Sequence, residues 1–157
     1  TYDDVMCRDS LYTAKCDVPG FRDGFREYEQ AIIELRSKFS PGMGVDYLLD
    51  LLSRMSKDSG VTTRDNGVSQ EVEARQGVSL KAMVTVKPRV ALRPFRTFLE
   101  VEQPESEFLL RLDDDGNVGL FEADGGMWQQ TAKASITAYF EDKLAQEVKD
   151  GKIVVMM

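Results

Sequence analysis

The period of the apolar residues changes twice along this chain, and that double change limits the possible folds more than any other feature. From Phe25 to Phe39 the apolar side chains fall at Phe25, Tyr28, Ile32, Leu35 and Phe39, which makes one helical stripe. Glu27, Glu29, Glu34 and Arg36 take the other side, and Ser40-Pro41-Gly42 stops the helix. A second stripe follows at Val45, Leu48, Leu49, Leu52 and Met55. Asp46 and Asp50 lie toward its start and Arg54 and Lys57 toward its end, the order a helix dipole favours. The spacing predicts a helical hairpin over about 25–58.

The period then drops to two. Val61–Arg64 and Val68–Ala74 flank Asp65-Asn66-Gly67, and Asn-Gly between alternating segments is a strong hairpin signal. Gln76-Gly77 marks another turn. Val84–Val86 and Val90–Leu92 are separated by Lys87-Pro88, and a proline there argues for a sheet edge or a bulge. Phe98–Val101, Phe108–Leu112 and Val118–Phe121 read as further strands, with Asp113–Asn117 a turn. Leu11–Cys16 reads as an early strand, closed by Pro19-Gly20. After Gly125-Gly126 the helical period returns at Trp128, Ala132, Ile136, Tyr139, Phe140, Leu144 and Val148, over about 127–149. Lys152–Met156 reads as a last strand.

Contiguous strands with short turns favour an antiparallel sheet, with helices segregated from it. The expectation is an α+β fold in a single domain over 1–157. An antiparallel sheet of about five to seven strands, over about 60–122, packs against the N-terminal helical hairpin and a long C-terminal helix. A chain of 157 residues is long enough for its own core.

There is no histidine. That removes His-based acid–base work, Ser-His-Asp and Cys-His nucleophiles, and His-containing zinc sites. Acids outnumber bases 27 to 20, a net charge of −7, so nucleic acid would bind only if the bases gather on one face. Cys7 and Cys16 could bridge in an oxidising compartment, and read as ordinary thiols in a reducing one. No apolar run approaches a membrane span and no signal peptide is visible. The chain starts at Thr1, as expected if an initiator Met is removed or if this is part of a longer protein.

Four groups of residues could carry chemistry. Asp113–Asn117 has the oxygen ligands of a calcium loop, but the twelfth position is Asp124 and the flanks read as strands, so a solvated turn is the better reading. Glu100, Glu102, Glu122 and Asp124 could make an all-oxygen metal site. A structural or interaction role is preferred for them, with no metal and no cofactor expected. Asp124-Gly125-Gly126 before Trp128 could open a helix, with Trp128 as a core or interface anchor. Lys87, Arg89, Arg93 and Arg96 alternate with Phe95 and Phe98, the raw material of a single-strand stacking platform. The competing readings are a strand pair with a solvated basic edge, and electrostatic pairing with Glu100, Glu102 and Glu105 within the fold or across a subunit interface.

Three segments carry a family likeness: Arg93-Pro94-Phe95-Arg96-Thr97-Phe98, then Glu100–Ser106, then Leu120–Gly126 with Trp128. Together they resemble the carboxy-terminal half of a family of tailed-phage and prophage proteins, chiefly of Gram-positive hosts. Asp65–Gln70 and Gly77-Val78 fit the same pattern. The resemblance implies a phage protein acting in the host cytoplasm, often encoded among replication and recombination functions. It brings no catalytic assignment.

The expectation is therefore a non-enzymatic accessory protein that works by protein–protein interaction and self-associates. Its interface residues would be Phe98, Glu100, Gln103, Glu122, Asp124 and Trp128. One alternative is a single-stranded nucleic-acid accessory factor using Arg89, Arg93, Phe95 and Arg96. Another is an inhibitor that presents an acidic surface to a host DNA-binding or defence protein.

Overall fold

The computed structural model describes residues 20–54, 60–65, 70–76, 79–113 and 115–156; side chains are described outside 55–85. The elements run β1 (Gly24–Arg26), α1 (Tyr28–Lys38), α2 (Met43–Arg54), β2 (Gly60–Asp65), β3 (Gln70–Gln76), β4 (Ser79–Val86), β5 (Arg89–Leu92), β6 (Ser106–Leu112), β7 (Val118–Glu122), α3 (Trp128–Lys143) and α4 (Ala145–Lys149). The fold is α+β. Its strands form two antiparallel sheets rather than one: β1-β7-β6-β5 and β2-β3-β4. The switch falls at Lys87-Pro88, between β4 and β5. Proline has no N–H for a ladder, and β5 is an edge strand, as the proline predicts.

One face of the four-stranded sheet is apolar at alternate positions. Ser106, Phe108, Leu110 and Leu112 of β6 are buried, and so are Val90 and Leu92 of β5 and Val118 and Leu120 of β7. The α1–α2 hairpin covers this face with Leu35, Leu48, Leu51 and Leu52. Phe39 closes the hairpin end of the core, and its ring meets Phe21 at 5.1 Å and Phe108 at 6.1 Å. Alternation on β6 and helical spacing on α1 and α2 thus point to one shared core.

Both edges of this sheet are approached by other parts of the chain. Just past the end of β5, the α1–α2 connection bonds to the chain: Ser40 N–H donates to Arg93 O at 2.8 Å, and Phe95 N–H donates to Lys38 O at 2.9 Å. Gly44 then brings α2 so close that a Cβ there would sit 2.1 Å from Ala91 O. Only a residue with no side chain allows that approach. On the far side, Arg26 of β1 folds its guanidinium back onto the carbonyls of Arg22 and Gly24 and pairs with Glu34.

Five expectations need correction. The first helix starts at Tyr28, because Gly24–Arg26 pairs with Val118–Leu120 as a strand and Phe25 packs edge-on against Phe121 at 5.5 Å. Phe98–Val101 is a turn, closed by Val101 N–H to Phe98 O at 3.2 Å. It cannot join a ladder because the Gln103 side chain already holds its backbone groups. The C-terminal helix ends at Lys143, with Leu144 at φ −110° and ψ 22°, and a short second helix follows. Residues 153–156 lie in no strand. The sheet of about five to seven strands is two smaller ones. The β2–β3 hairpin forms with Asp65 opposite Gln70. Leu11–Cys16, Cys7, Asn66–Ser69, Gly77-Val78 and Asp114 fall outside the described residues.

Candidate interaction surface

The residues singled out in the sequence gather into two connected arrangements. The first is a clasp centred on Arg96. Its guanidinium donates to Ser106 Oγ at 2.9 Å and pairs with Glu122 Oε1 at 2.6 Å. The same group lies 4.4 Å from the centre of the Trp128 ring and 5.8 Å from that of Phe108. One arginine therefore joins β6, β7 and the first residue of α3. The Arg96 side chain is only 11% exposed. A cation that is desolvated, paired and stacked in this way contributes through all three contacts.

Asp124 completes the clasp. Its Oδ1 accepts from Gly126 N–H at 2.8 Å and its Oδ2 from Trp128 N–H at 3.3 Å. Gly125 and Gly126 both have positive φ, at 65° and 81°, which lets the chain double back within reach of the carboxylate. Burial alone would raise the Asp124 pKa. The Ser106 hydroxyl, the two N–H groups and the charge of Arg96 outweigh that and hold it below the usual aspartate value. Asp124 thus starts α3, and Glu122 holds the arginine that braces it.

The second arrangement is the turn itself. Gln103 is buried, and its Oε1 accepts from Arg96 N–H at 2.8 Å and Thr97 N–H at 3.1 Å. Its Nε2 donates to Phe98 O at 3.0 Å and Val101 O at 3.3 Å. One side chain thus satisfies four backbone groups of a short loop. The loop presents Leu99, 82% exposed, at its tip. Phe98 leans on α3, with its ring 6.1 Å from that of Phe140. Glu100 is exposed beside Leu99.

The other two arginines of the stretch are neutralised where they stand. Arg89 pairs with Glu107 at 2.7 Å. Arg93 pairs with Glu102 at 2.5 Å and Glu105 at 3.3 Å. Phe95 is half-buried. The four residues expected to line a nucleic-acid platform are therefore not free cations flanking exposed rings, and each arginine already has a carboxylate. The carboxylates weighed as a metal site are also separated in duty. Glu100 is at the turn, Glu122 is on Arg96, and Asp124 is on the start of α3. Among the described residues, no group of three or more acidic, cysteine or histidine side chains is placed to hold a metal ion.

Two contributors were not singled out in the sequence. Ser106 lies before the expected Phe108–Leu112 strand, and β6 in fact begins with it, on the buried face. Leu99 reads as part of a strand, where alternation would hide or excuse it. Leu-Glu before Val-Glu-Gln-Pro could also have been read as a turn, given the glutamine and proline that follow.

No family model matches the chain, and neither a curated protein nor a solved structure matches it. Among the described residues no helix is long and apolar enough to cross a membrane.

Proposed function

We propose that this protein works by protein–protein association, through a surface built from the 98–101 turn and the outward side of α3 and α4, and that it catalyses no reaction. The observation that carries this reading is Leu99: a large apolar side chain, 82% exposed, at the tip of a turn held by four hydrogen bonds from one buried glutamine. A preordered apolar tip loses little conformational freedom on binding, which is how a small contact gains affinity. Helix α3 adds to it: of its 16 residues only Ala132 is buried, while Ile136, Tyr139 and Phe140 stay partly open to solvent. A phage accessory role rests on the sequence resemblance alone.

Charge weighs against the nucleic-acid alternative. Over 87–107, four positive side chains (Lys87, Arg89, Arg93, Arg96) meet four negative ones (Glu100, Glu102, Glu105, Glu107). A stretch that is balanced, and mostly paired, offers no track for phosphates.

Light scattering over a wide concentration range tests the reading. The expected result is a discrete oligomer, unchanged by short single-stranded DNA and shifted toward monomer in Leu99→Asp. A mass that rises only with DNA, and falls back with salt, would replace this reading with the nucleic-acid one.

A further inference from the structure

The groove between the start of α2 and the edge strand β5 offers a place for that tip. It has a volume of about 520 Å³ and is lined by Pro41, Met43, Tyr47, Ala91 and Lys87, among others. That volume lies inside the range of roughly 300–1,000 Å³ found for clefts that take up a ligand. Its floor is apolar because Gly44 lets α2 lie directly on β5. Met43, at the rim, is 91% exposed, the most exposed of the large apolar side chains described.

Charge says what fits there. Three of the four cations of the 87–107 stretch are ion-paired, and the remaining one is Lys87, whose ammonium lies 5.1 Å over the Tyr47 ring at the groove. Three of its four carboxylates are ion-paired, and the remaining one is Glu100, next to Leu99. Among the described residues of this stretch, the unmatched cation therefore sits at an apolar groove, and the unmatched anion sits beside an apolar tip. We propose that the 98–101 turn of one copy seats in the α2–β5 groove of a second copy, with Leu99 against Met43 and Pro41 and Glu100 beside Lys87. The inference rests on the association reading above and names its occupant. Tip and groove are different surfaces, so each copy offers one of each. A contact of that kind also lets molecules with a net charge of −7 approach through a stretch where opposite charges balance.

Complementation tests it. Leu99→Asp spoils the tip and leaves the groove intact. Met43→Asp spoils the groove and leaves the tip intact, and an acidic residue in the first turn suits α2. Each variant alone is expected to run as a monomer at concentrations where the parent chain associates. Mixing the two should restore a one-to-one complex, because one good tip meets one good groove. Circular dichroism of each variant, matching that of the parent, confirms that the monomers are folded. Lys87→Glu should weaken association about tenfold, and adding Glu100→Lys in the same chain should recover most of it. If Met43→Asp associates as well as the parent while Leu99→Asp does not, the groove proposal is overturned and the association reading stands. If neither variant changes the mass of the parent oligomer, the proposal falls together with the turn as the contact surface. A parent chain that is monomeric at every concentration also ends it.

Discussion

The α1–α2 hairpin and the α3–α4 arm are written in the same sequence code and end in opposite situations. Each carries an apolar stripe at helical spacing. The hairpin buries six residues (Ala31, Leu35, Val45, Leu48, Leu51, Leu52) against the four-stranded sheet. The arm buries one, Ala132, and α4 buries none. The hairpin has a sheet face directly beneath it, whereas the arm is held mainly at its root by the Arg96 clasp and by Phe98 against Phe140. A periodic stripe thus states that a helix has an apolar side. It does not state that the same chain covers that side.

The sharpest way to break this comparison is paired truncation. Phe108→Ala, in the shared core, should cost about 3–5 kcal/mol in urea unfolding. Phe140→Ala, on the arm, should stay within about 1 kcal/mol. Equal costs would mean that the arm is as integral to the fold as the hairpin.

The next effect is local. Arg96→Ala leaves Glu122 without its ion-pair partner, Ser106 without its charged donor and Trp128 without its cation, and the hydrogen bond from a charged group alone accounts for a loss of about 1.5–3 kcal/mol. Amide exchange should speed up through α3 and stay unchanged in α1 and α2. Uniform acceleration would mean that Arg96 supports the whole fold, not the arm's root.

The smallest effect is on pH. Burial would raise Glu34, but Lys38 and Arg26 hold it below its ordinary value of 4.5, as Asp124 is held below 3.8. A carboxylate with a depressed folded pKa stabilises the fold above its unfolded pKa and loses that contribution as protons bind. Stability should therefore fall as pH drops through these two ordinary values and on toward the lower folded ones. Asp124→Asn should flatten the part of that fall that belongs to the arm, and Glu34→Gln the part that belongs to the hairpin. A slope unchanged in both variants would assign the acid sensitivity elsewhere.

Much of the body was legible in the sequence because its signals are local. The two stripes, the Asn-Gly hairpin and the proline that marks β5 as an edge all depend on near neighbours. The division into two sheets was not legible, since pairing partners are chosen across the chain. The turn at 98–101 was hidden because Gln103, five residues on, takes the hydrogen bonds a strand would have used. The candidate surface was legible as residue types, but not as the side-chain pairings that join them. Arg96 and Trp128 were both singled out, the first for nucleic acid and the second for an interface, yet they stack on each other. Only the fold could bring Glu122 to that arginine and leave Lys87 and Glu100 unmatched.

Gly44 has a consequence beyond packing. A sheet edge with free backbone groups is a template on which another chain can add a strand without limit. Here the start of α2 lies against one edge strand, β5, and can lie there only because position 44 has no side chain, while on the other edge the guanidinium of Arg26 takes the Gly24 carbonyl of β1. The first harm from a bulkier residue at 44 would therefore be open-ended aggregation, as α2 lifts from β5 and leaves the Ala91 carbonyl free to recruit a stranger. A residue inside a helix would then be the guard against fibre growth from a strand.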